Sequence, residues 1–263
     1  MTLFLTKIIV TVAIVLGLSV IAERVSPRWA GLLGGYPLSV AIVLIFIGYQ
    51  EGNVFAAQSA VHTLAGLTAN LSIFAAYGLV LSLRPNIHWF WTVVAGLAAF
   101  FSVGIVLSTI DFNLFGAFIF MCTIITLCIF GFKRFAEIKI TQAVRLSFRV
   151  AFIRAASASF VVLVITGLAE QLGPEMAGVL ASFPATVFPM IVIVHVTYGA
   201  APVLATIKHF PIGLGATTIF CLVFSLYLTE QGLFIGTLIS FAVATVYLVG
   251  FTLAQQRLRK MTS

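Results

Sequence analysis

Long apolar runs separated by short polar connections make up most of this chain. A helix needs about 20 apolar residues to cross the hydrocarbon core of a bilayer. Nine runs approach or exceed that length, at residues 5–22, 29–50, 55–83, 88–110, 114–132, 148–169, 176–197, 201–229 and 232–254. The pattern therefore predicts an all-α polytopic membrane bundle of about nine transmembrane helices. The third and eighth runs are long enough to require a tilt, a kink or an interfacial start.

Composition excludes a soluble fold. The 263 residues are 62% hydrophobic and 8% charged, with a mean hydropathy of +1.20, whereas soluble domains contain about 25% charged residues. The first run has no small-residue cleavage site, so we interpret it as a span and not as a signal peptide. The three cysteines lie in apolar runs without metal or disulfide spacing, and no cofactor is expected.

The positive charges predict an orientation. If the basic connection 133–149 lies in the cytoplasm, all but two of the 14 Lys and Arg residues lie at cytoplasmic ends, and the exceptions are Lys7 and Lys208. Lys and Arg favour the cytoplasmic side of a membrane. We therefore expect an integral protein of a bacterial cytoplasmic (inner) membrane, with its N-terminus outside and its C-terminus inside. This orientation accounts for the net charge of +7, and no nucleic-acid partner is expected.

The chain also contains an internal repeat. A shift of 147 residues, with no gap from residue 7 to residue 83, aligns residue types that are scarce in an apolar chain. The aligned pairs are Lys7 with Arg154, Glu23 with Glu170, Pro27 with Pro174, Pro37 with Pro184, Gly52 with Gly199, His62 with His209, and Gly66 with Gly213. Agreement at so many scarce residue types is improbable by chance. The sequence therefore predicts that the fold contains two copies of one structural unit.

The repeat unit contains four spans, and the run 114–132 lies between the two copies. An odd number of intervening spans inserts the second copy upside down, which is the inverted-topology arrangement of many secondary transporters. We therefore expect a first four-helix repeat at 1–111, a linking helix and basic cytoplasmic loop at 112–146, and a second four-helix repeat at 147–263.

A short pattern recurs in both copies, as AGLLGGYPLSV at 30–40 and AGVLASFPATV at 177–187. A long span that opens with Gly52 or Gly199 follows each one. In this pattern the unit resembles the small GlpM-type membrane proteins. The resemblance covers most of both halves apart from the fifth span. It implies a duplicated membrane module and assigns no substrate.

The matched prolines are the sharpest candidates for a site. A proline inside a helix removes one backbone hydrogen bond, and a freed carbonyl in hydrocarbon needs another partner. Pro37 and Pro184 are each followed two residues later by a hydroxyl, Ser39 or Thr186. We expect two broken helices whose backbone and hydroxyls line a substrate site between the repeats. The alternative is a packing kink that neighbouring side chains satisfy.

Further polar residues lie inside or near the apolar runs. His62 and His209 are candidate proton-coupling groups, since histidine titrates near neutral pH; alternatively they are neutral and hydrogen-bonded, or interfacial. Lys208 either attracts an anionic substrate or extends to the cytoplasmic surface. Asn70 with Thr68, and Thr217 with Thr218, lie deep in spans three and eight, where they bond across helices or line a path.

No motif for ATP hydrolysis or another enzyme activity is present. The leading interpretation is a secondary transporter that moves a small polar or anionic solute by alternating access, with proton coupling as one option. The rival interpretations are a lipid flippase or scramblase and a non-transporting scaffold of an envelope complex. The expected partners are membrane lipids and a small-molecule substrate, and the fold is compatible with a homodimer.

Overall fold

Helices form all the regular secondary structure in the part of the chain that the computed structural model describes, which is residues 2–24, 35–135 and 148–262. In chain order they are α1 (Thr2–Arg24), α2 (Leu38–Glu51), α3 (Asn53–Leu83), α4 (Trp89–Ser108), α5 (Leu114–Phe132), α6 (Phe148–Ala181), α7 (Val187–Tyr198) and α8 (Ala200–Thr262). The predicted all-α bundle is confirmed at this level.

Single glycines interrupt the two longest helices. Gly173 in α6 has φ 74° and ψ 166°, and Gly232 in α8 has φ 78° and ψ 169°. These are left-handed conformations that glycine adopts without steric cost. Pro174 follows Gly173 directly, and its fixed φ suits the first position of a new helical arm. Helix α6 therefore has arms 148–172 and 174–181, and α8 has arms 200–231 and 233–262.

The chain reverses direction at Gly232 and at Gly52, which also has a positive φ, of 91°. A β-carbon on Gly48 would lie 3.3 Å from the β-carbon of Ala56, so positions four residues either side of Gly52 are in contact. Likewise, a β-carbon on Gly236 would lie 3.1 Å from the Cα of Leu228, across Gly232. A continuous helix would separate such positions by about 12 Å. Gly52 and Gly232 therefore form tight helix–helix turns.

Five helical segments are long and apolar enough to cross a membrane, judged by length and composition. They are Asn53–Leu83, Trp89–Ser108, Leu114–Phe132, Ala151–Ala181 and Ala200–Leu253, and three shorter apolar helices are Leu3–Gly17, Leu38–Glu51 and Val187–Tyr198. Three differences explain why this number is smaller than the predicted nine. The apolar segment of the first span is short, at Leu3–Gly17. The second span is helical among the described residues only from Leu38, and the seventh is interrupted near Pro184. The eighth and ninth spans are two arms of one helix, α8.

Helix α3 lies at the centre of the bundle and α5 at its periphery. Helix α3 packs against α4, α6 and α8, and 67% of its most apolar stretch is buried, compared with 11% for α5. The outward side chains of α5 are large and apolar, and include Phe115 and Ile119. Exposed apolar surface of this kind marks a face that contacts lipid or another protein.

Several predictions concern residues outside the described ranges. Most of the 23–28 and 133–149 connections falls within the undescribed residues 25–34 and 136–147. The predicted orientation and the boundary between the linking segment and the second repeat therefore stay predictions.

Candidate functional site

Both prolines of the matched pair lie in non-helical residues directly before a helix, at 35–37 and 182–186, which we call the two breaks. Helix α6 ends at Ala181 and α7 begins at Val187, and Pro184 lies in the non-helical segment between them. Pro37 is the N-cap residue of α2, directly after a turn at residues 35 and 36. A proline at position 184 would free the carbonyl four residues earlier, that of Leu180. This carbonyl has a partner, because the Phe183 amide donates to it at 2.9 Å.

The hydroxyls that follow the prolines contact each other. The Oγ atom of Ser39 lies 3.0 Å from the Oγ1 atom of Thr186, in hydrogen-bonding distance. These residues are 147 positions apart and so occupy matched places in the repeat. The two helix breaks therefore meet at equivalent residues, although they are far apart in the chain.

Side chains from the long helices satisfy a backbone carbonyl at each break. The Asn70 amide nitrogen on α3 donates to the Ser182 carbonyl at 2.6 Å. The Thr217 hydroxyl on α8 donates to the Gly35 carbonyl, also at 2.6 Å. Positions 70 and 217 are matched in the repeat, as are 35 and 182. The same device, a polar side chain bonded across helices, thus stabilises both breaks.

The breaks also approach the long helices very closely. A β-carbon on Gly35 would overlap the backbone of Gly213, so only glycine fits there. At the matched contact, the Ser182 hydroxyl donates to the Gly66 carbonyl at 2.7 Å. Matched positions 35 and 182 therefore rest on matched positions 213 and 66. Small residues permit this close approach of backbones in membrane helices.

A small, partly open cavity of about 300 Å³ lies at the meeting point of the breaks and the long helices. Its lining consists of Tyr36, Ser39, Val40, Leu67, Asn70, Ser182, Phe183, Pro184, Thr186, Val187, Phe210, Leu214 and Thr217. Ten of these residues form five matched pairs under the 147-residue shift. Among the described residues that line it, none is acidic, basic or a histidine. Its polar groups are hydroxyls, one amide and backbone atoms.

The cavity lies near the middle of the long helices. At 1.5 Å of rise per residue, Asn70 is about 25 Å from the start of α3 and about 20 Å from its end. Thr217 lies similarly near the middle of the arm 200–231. The polar groups at the breaks are thus far from both ends of these apolar helices.

The histidine pair and Lys208 lie elsewhere. His62 is on α3, two turns before Asn70, and is buried against Gly178 of α6, with its Nδ1 atom lacking a hydrogen-bond partner. His209 and Lys208 are partly buried on α8. None of the three lines the cavity. Of the predicted site residues, Ser39, Pro184 and Thr186 line it, and Pro37 adjoins it at the start of α2.

Lys7 is a polar centre that the sequence analysis did not single out as a site. It is 5% exposed, and its ammonium donates to Gln50 Oε1 and to Thr166 Oγ1, each at 2.6 Å. These bonds join α1 to α2 and α6. The available signal was the repeat itself, because Lys7 aligns with Arg154, which is also buried.

A second buried cluster joins α3, α4 and α7. The Tyr77 hydroxyl lies 2.8 Å from the Nδ1 atom of His195, and the Thr92 hydroxyl lies 3.4 Å from the same atom. His195 has no histidine counterpart in the repeat, so the 147-residue shift gave no reason to select it.

Comparison of the chain with protein-family models, with curated proteins and with solved structures finds no match. The GlpM-type resemblance therefore stays a prediction.

Proposed function

We propose that this protein is a secondary transporter of a small polar or anionic solute, with its binding site at the meeting point of the two helix breaks. The hydrogen bond between Ser39 and Thr186 carries the proposal. If two repeats are inverted, their two-fold axis lies in the membrane plane. A residue that touches its own counterpart must lie close to that axis, and hence near the middle of the membrane.

The proposed layout has nine spans in two inverted repeats. The helices support that number under two conditions. The arms on either side of Gly173 and Gly232 are counted as separate spans, and each helix with a break is counted as one crossing. The contacts of Lys7 support the inversion. Lys7 near the start of α1 bonds to Gln50 near the end of α2 and to Thr166 near the end of the arm 148–172. Further along α1, Val15 is in one buried cluster with Ala155 and Ala158 near the start of that arm. With both contacts, α1 and the arm run in opposite directions, although they are matched in the repeat.

Transport would proceed by rocking of two units around the cavity, each made of one break and the long helix of the opposite copy to which it is bonded. Between the described residues of the two breaks, the Ser39–Thr186 contact is a single hydroxyl pair, which repacking can break at low cost. The bonds from Asn70 and Thr217, in contrast, hold each break to a long helix of the opposite copy. In this mechanism the cavity opens to alternate sides as the hydroxyl pair separates.

The proposal also covers the membrane in which the protein lies and the coupling of transport to protons. The charge distribution favours a cytoplasmic (inner) membrane with the N-terminus outside. His62 and His209 remain candidates for proton coupling, although they act outside the cavity lining. The buried positions of Asn70, Ser182, Thr186 and Thr217 favour an enclosed solute site over a lipid-facing groove.

Flux across liposomes tests the proposal. Purified protein in liposomes should catalyse counterflow of a small solute, and the double variant Pro37→Ala with Pro184→Ala should lose it. A variant at the peripheral helix α5, Gly131→Ala, serves as the matched control because a β-carbon there meets no atom within 4 Å. Unchanged flux in the double proline variant would contradict the site. Lipid translocation without solute flux would favour a flippase, and co-purifying partners without either would favour a scaffold.

A further inference from the structure

Two helices begin at the wall of the cavity. Helix α2 has 14 residues and α7 has 12, and neither N-cap residue, Pro37 or Thr186, provides a side-chain cap. The first-turn residues Ser39, Val40 and Val187 line the cavity. Each helix N-terminus is equivalent to roughly half a positive charge. At α7 the Val187 and Phe188 amides already donate to the Pro184 carbonyl, and Pro189 has no N–H, so α2 is the end that can offer N–H groups to a ligand. The two ends together favour a ligand with no more than about one negative charge.

The side chains of the lining do not cancel this field. No acidic residue is found among the described residues of the cavity wall. The hydroxyls of Ser39 and Thr186 bond to each other, and in such a pair only one hydrogen lies between the oxygens. The second hydroxyl hydrogen is available to donate to an anion at the helix ends.

Asn70 supplies a hydrogen-bond acceptor to the cavity. Its amide nitrogen donates to the Ser182 carbonyl, and this bond fixes which way the amide is turned, because a carbonyl accepts only from the nitrogen. The Oδ1 atom is buried without a hydrogen-bond partner, and Asn70 is 3% exposed. An unsatisfied buried acceptor is costly. Since Asn70 lines the cavity, a donor on a bound molecule would satisfy it.

We propose that the cavity binds a small monoanion that also carries a hydrogen-bond donor. Its charge lies at the N-terminus of α2, and its donor hydrogen bonds to Asn70 Oδ1. The cavity volume of about 300 Å³ includes its open side and is at the lower end for small-molecule pockets, so it sets an upper limit and restricts the ligand to a small molecule. Hydrogencarbonate and the smallest hydroxy acids share this chemistry. The inference names a solute class for the transporter proposed above and rests on that site.

Three planar molecules of nearly equal size separate the two requirements. Hydrogencarbonate has the charge and the donor, nitrate has the charge without a donor, and urea has donors without the charge. Calorimetric titration of the purified protein in chloride-free buffer should show hydrogencarbonate binding at least about tenfold more tightly than either analogue, since each lacks one matched interaction. Equal affinity for nitrate would overturn the donor part, and equal affinity for urea would overturn the charge part.

A matched pair of variants locates the ligand. Asn70→Asp keeps the side-chain shape and adds a negative charge to the cavity, so hydrogencarbonate binding should be lost. Asn113→Asp makes the same change at the exposed N-cap of α5, where a carboxylate also caps the helix, and binding should persist. Equal binding in both variants would overturn the assignment. The comparison of hydrogencarbonate, nitrate and urea uses the unmodified protein. It therefore stays valid even if Asn70→Asp fails to fold.

Binding and flux report on different proposals. Selective hydrogencarbonate binding without counterflow would support the anion site and contradict the transporter. Counterflow of another solute class, with no binding of hydrogencarbonate at millimolar concentration, would support the transporter and overturn the anion site.

Discussion

Removal of the Thr217 hydroxyl tests whether the helix breaks depend on side-chain caps from the long helices. Thr217 is 2% exposed, and its hydroxyl donates to the Gly35 carbonyl at 2.6 Å across the bundle. In Thr217→Val the shape is retained, but a buried carbonyl at the break loses its partner. Such a loss costs about 1–3 kcal/mol in soluble proteins. Cross-helix bonds in membrane proteins average about 0.6 kcal/mol and reach about 1.7.

The neighbouring residue offers a close control. Thr218 is also 2% exposed, but its hydroxyl donates to the Leu214 carbonyl four residues earlier in the same helix. That carbonyl keeps its helical amide partner when the hydroxyl is removed. We therefore expect Thr217→Val to lower the free energy of unfolding by about 1–1.5 kcal/mol, and Thr218→Val by less than about 0.5 kcal/mol. Thr217→Ser, which keeps the hydroxyl, should recover most of the difference.

Thermal unfolding in mild detergent measures this difference. For a chain of this size, 1 kcal/mol corresponds to a midpoint shift of about 2–4 °C. Thr217→Val should therefore unfold a few degrees below Thr218→Val, and Thr217→Ser should lie close to the unmodified protein. Equal midpoints for the two valine variants would refute the reasoning that the break depends on a cross-helix cap.

Three further predictions concern other contacts. Gly35→Ala should destabilise the protein by more than about 2 kcal/mol, because the added carbon overlaps backbone, whereas Gly17→Ala, which meets no atom within 4 Å, should not lower the midpoint in the same unfolding assay. In a background without native cysteines, a cysteine pair at Ser39 and Thr186 should block flux when oxidised and restore it when reduced; oxidation without loss of flux would contradict the rocking mechanism. Lys7→Met should shift the midpoint less than Lys7→Ala, since methionine preserves packing where the ammonium is buried, and a larger loss in the methionine variant would contradict this.

Much of the fold could be predicted from the sequence because the bilayer restricts the choice of structure so strongly. Apolar runs long enough to span a membrane must be helical there, and the described residues agree. The number of continuous helices could not be predicted in the same way. Hydropathy does not register a left-handed glycine, so the arms joined at Gly173 and Gly232 and the interruptions near the prolines changed the helix bounds.

The candidate site was predictable only where the repeat gave a second copy to compare. The matched prolines indicated the breaks, and the hydroxyls after them proved to be in contact. Asn70 and Thr217 were noticed as polar groups in apolar spans, but their partners are backbone carbonyls, which carry no sequence signal. Tyr77 and His195 have no matched counterparts, so nothing in the pattern connected them before the structure brought them within 2.8 Å.

Comparison of the two copies separates what the fold requires from what a ligand requires. Asn70 and Thr217 occupy matched positions and perform the same structural task, since each donates to one carbonyl of a break at 2.6 Å. Threonine performs it with a single hydroxyl. Asparagine has a second polar atom, Oδ1, which bonds to nothing in the described bundle. The bond to the break does not require that atom. Its burial at the cavity wall therefore lowers the stability of the fold and forms no structural contact in exchange. A bound donor would remove the cost, and it would also make an otherwise symmetric site distinguish the two halves.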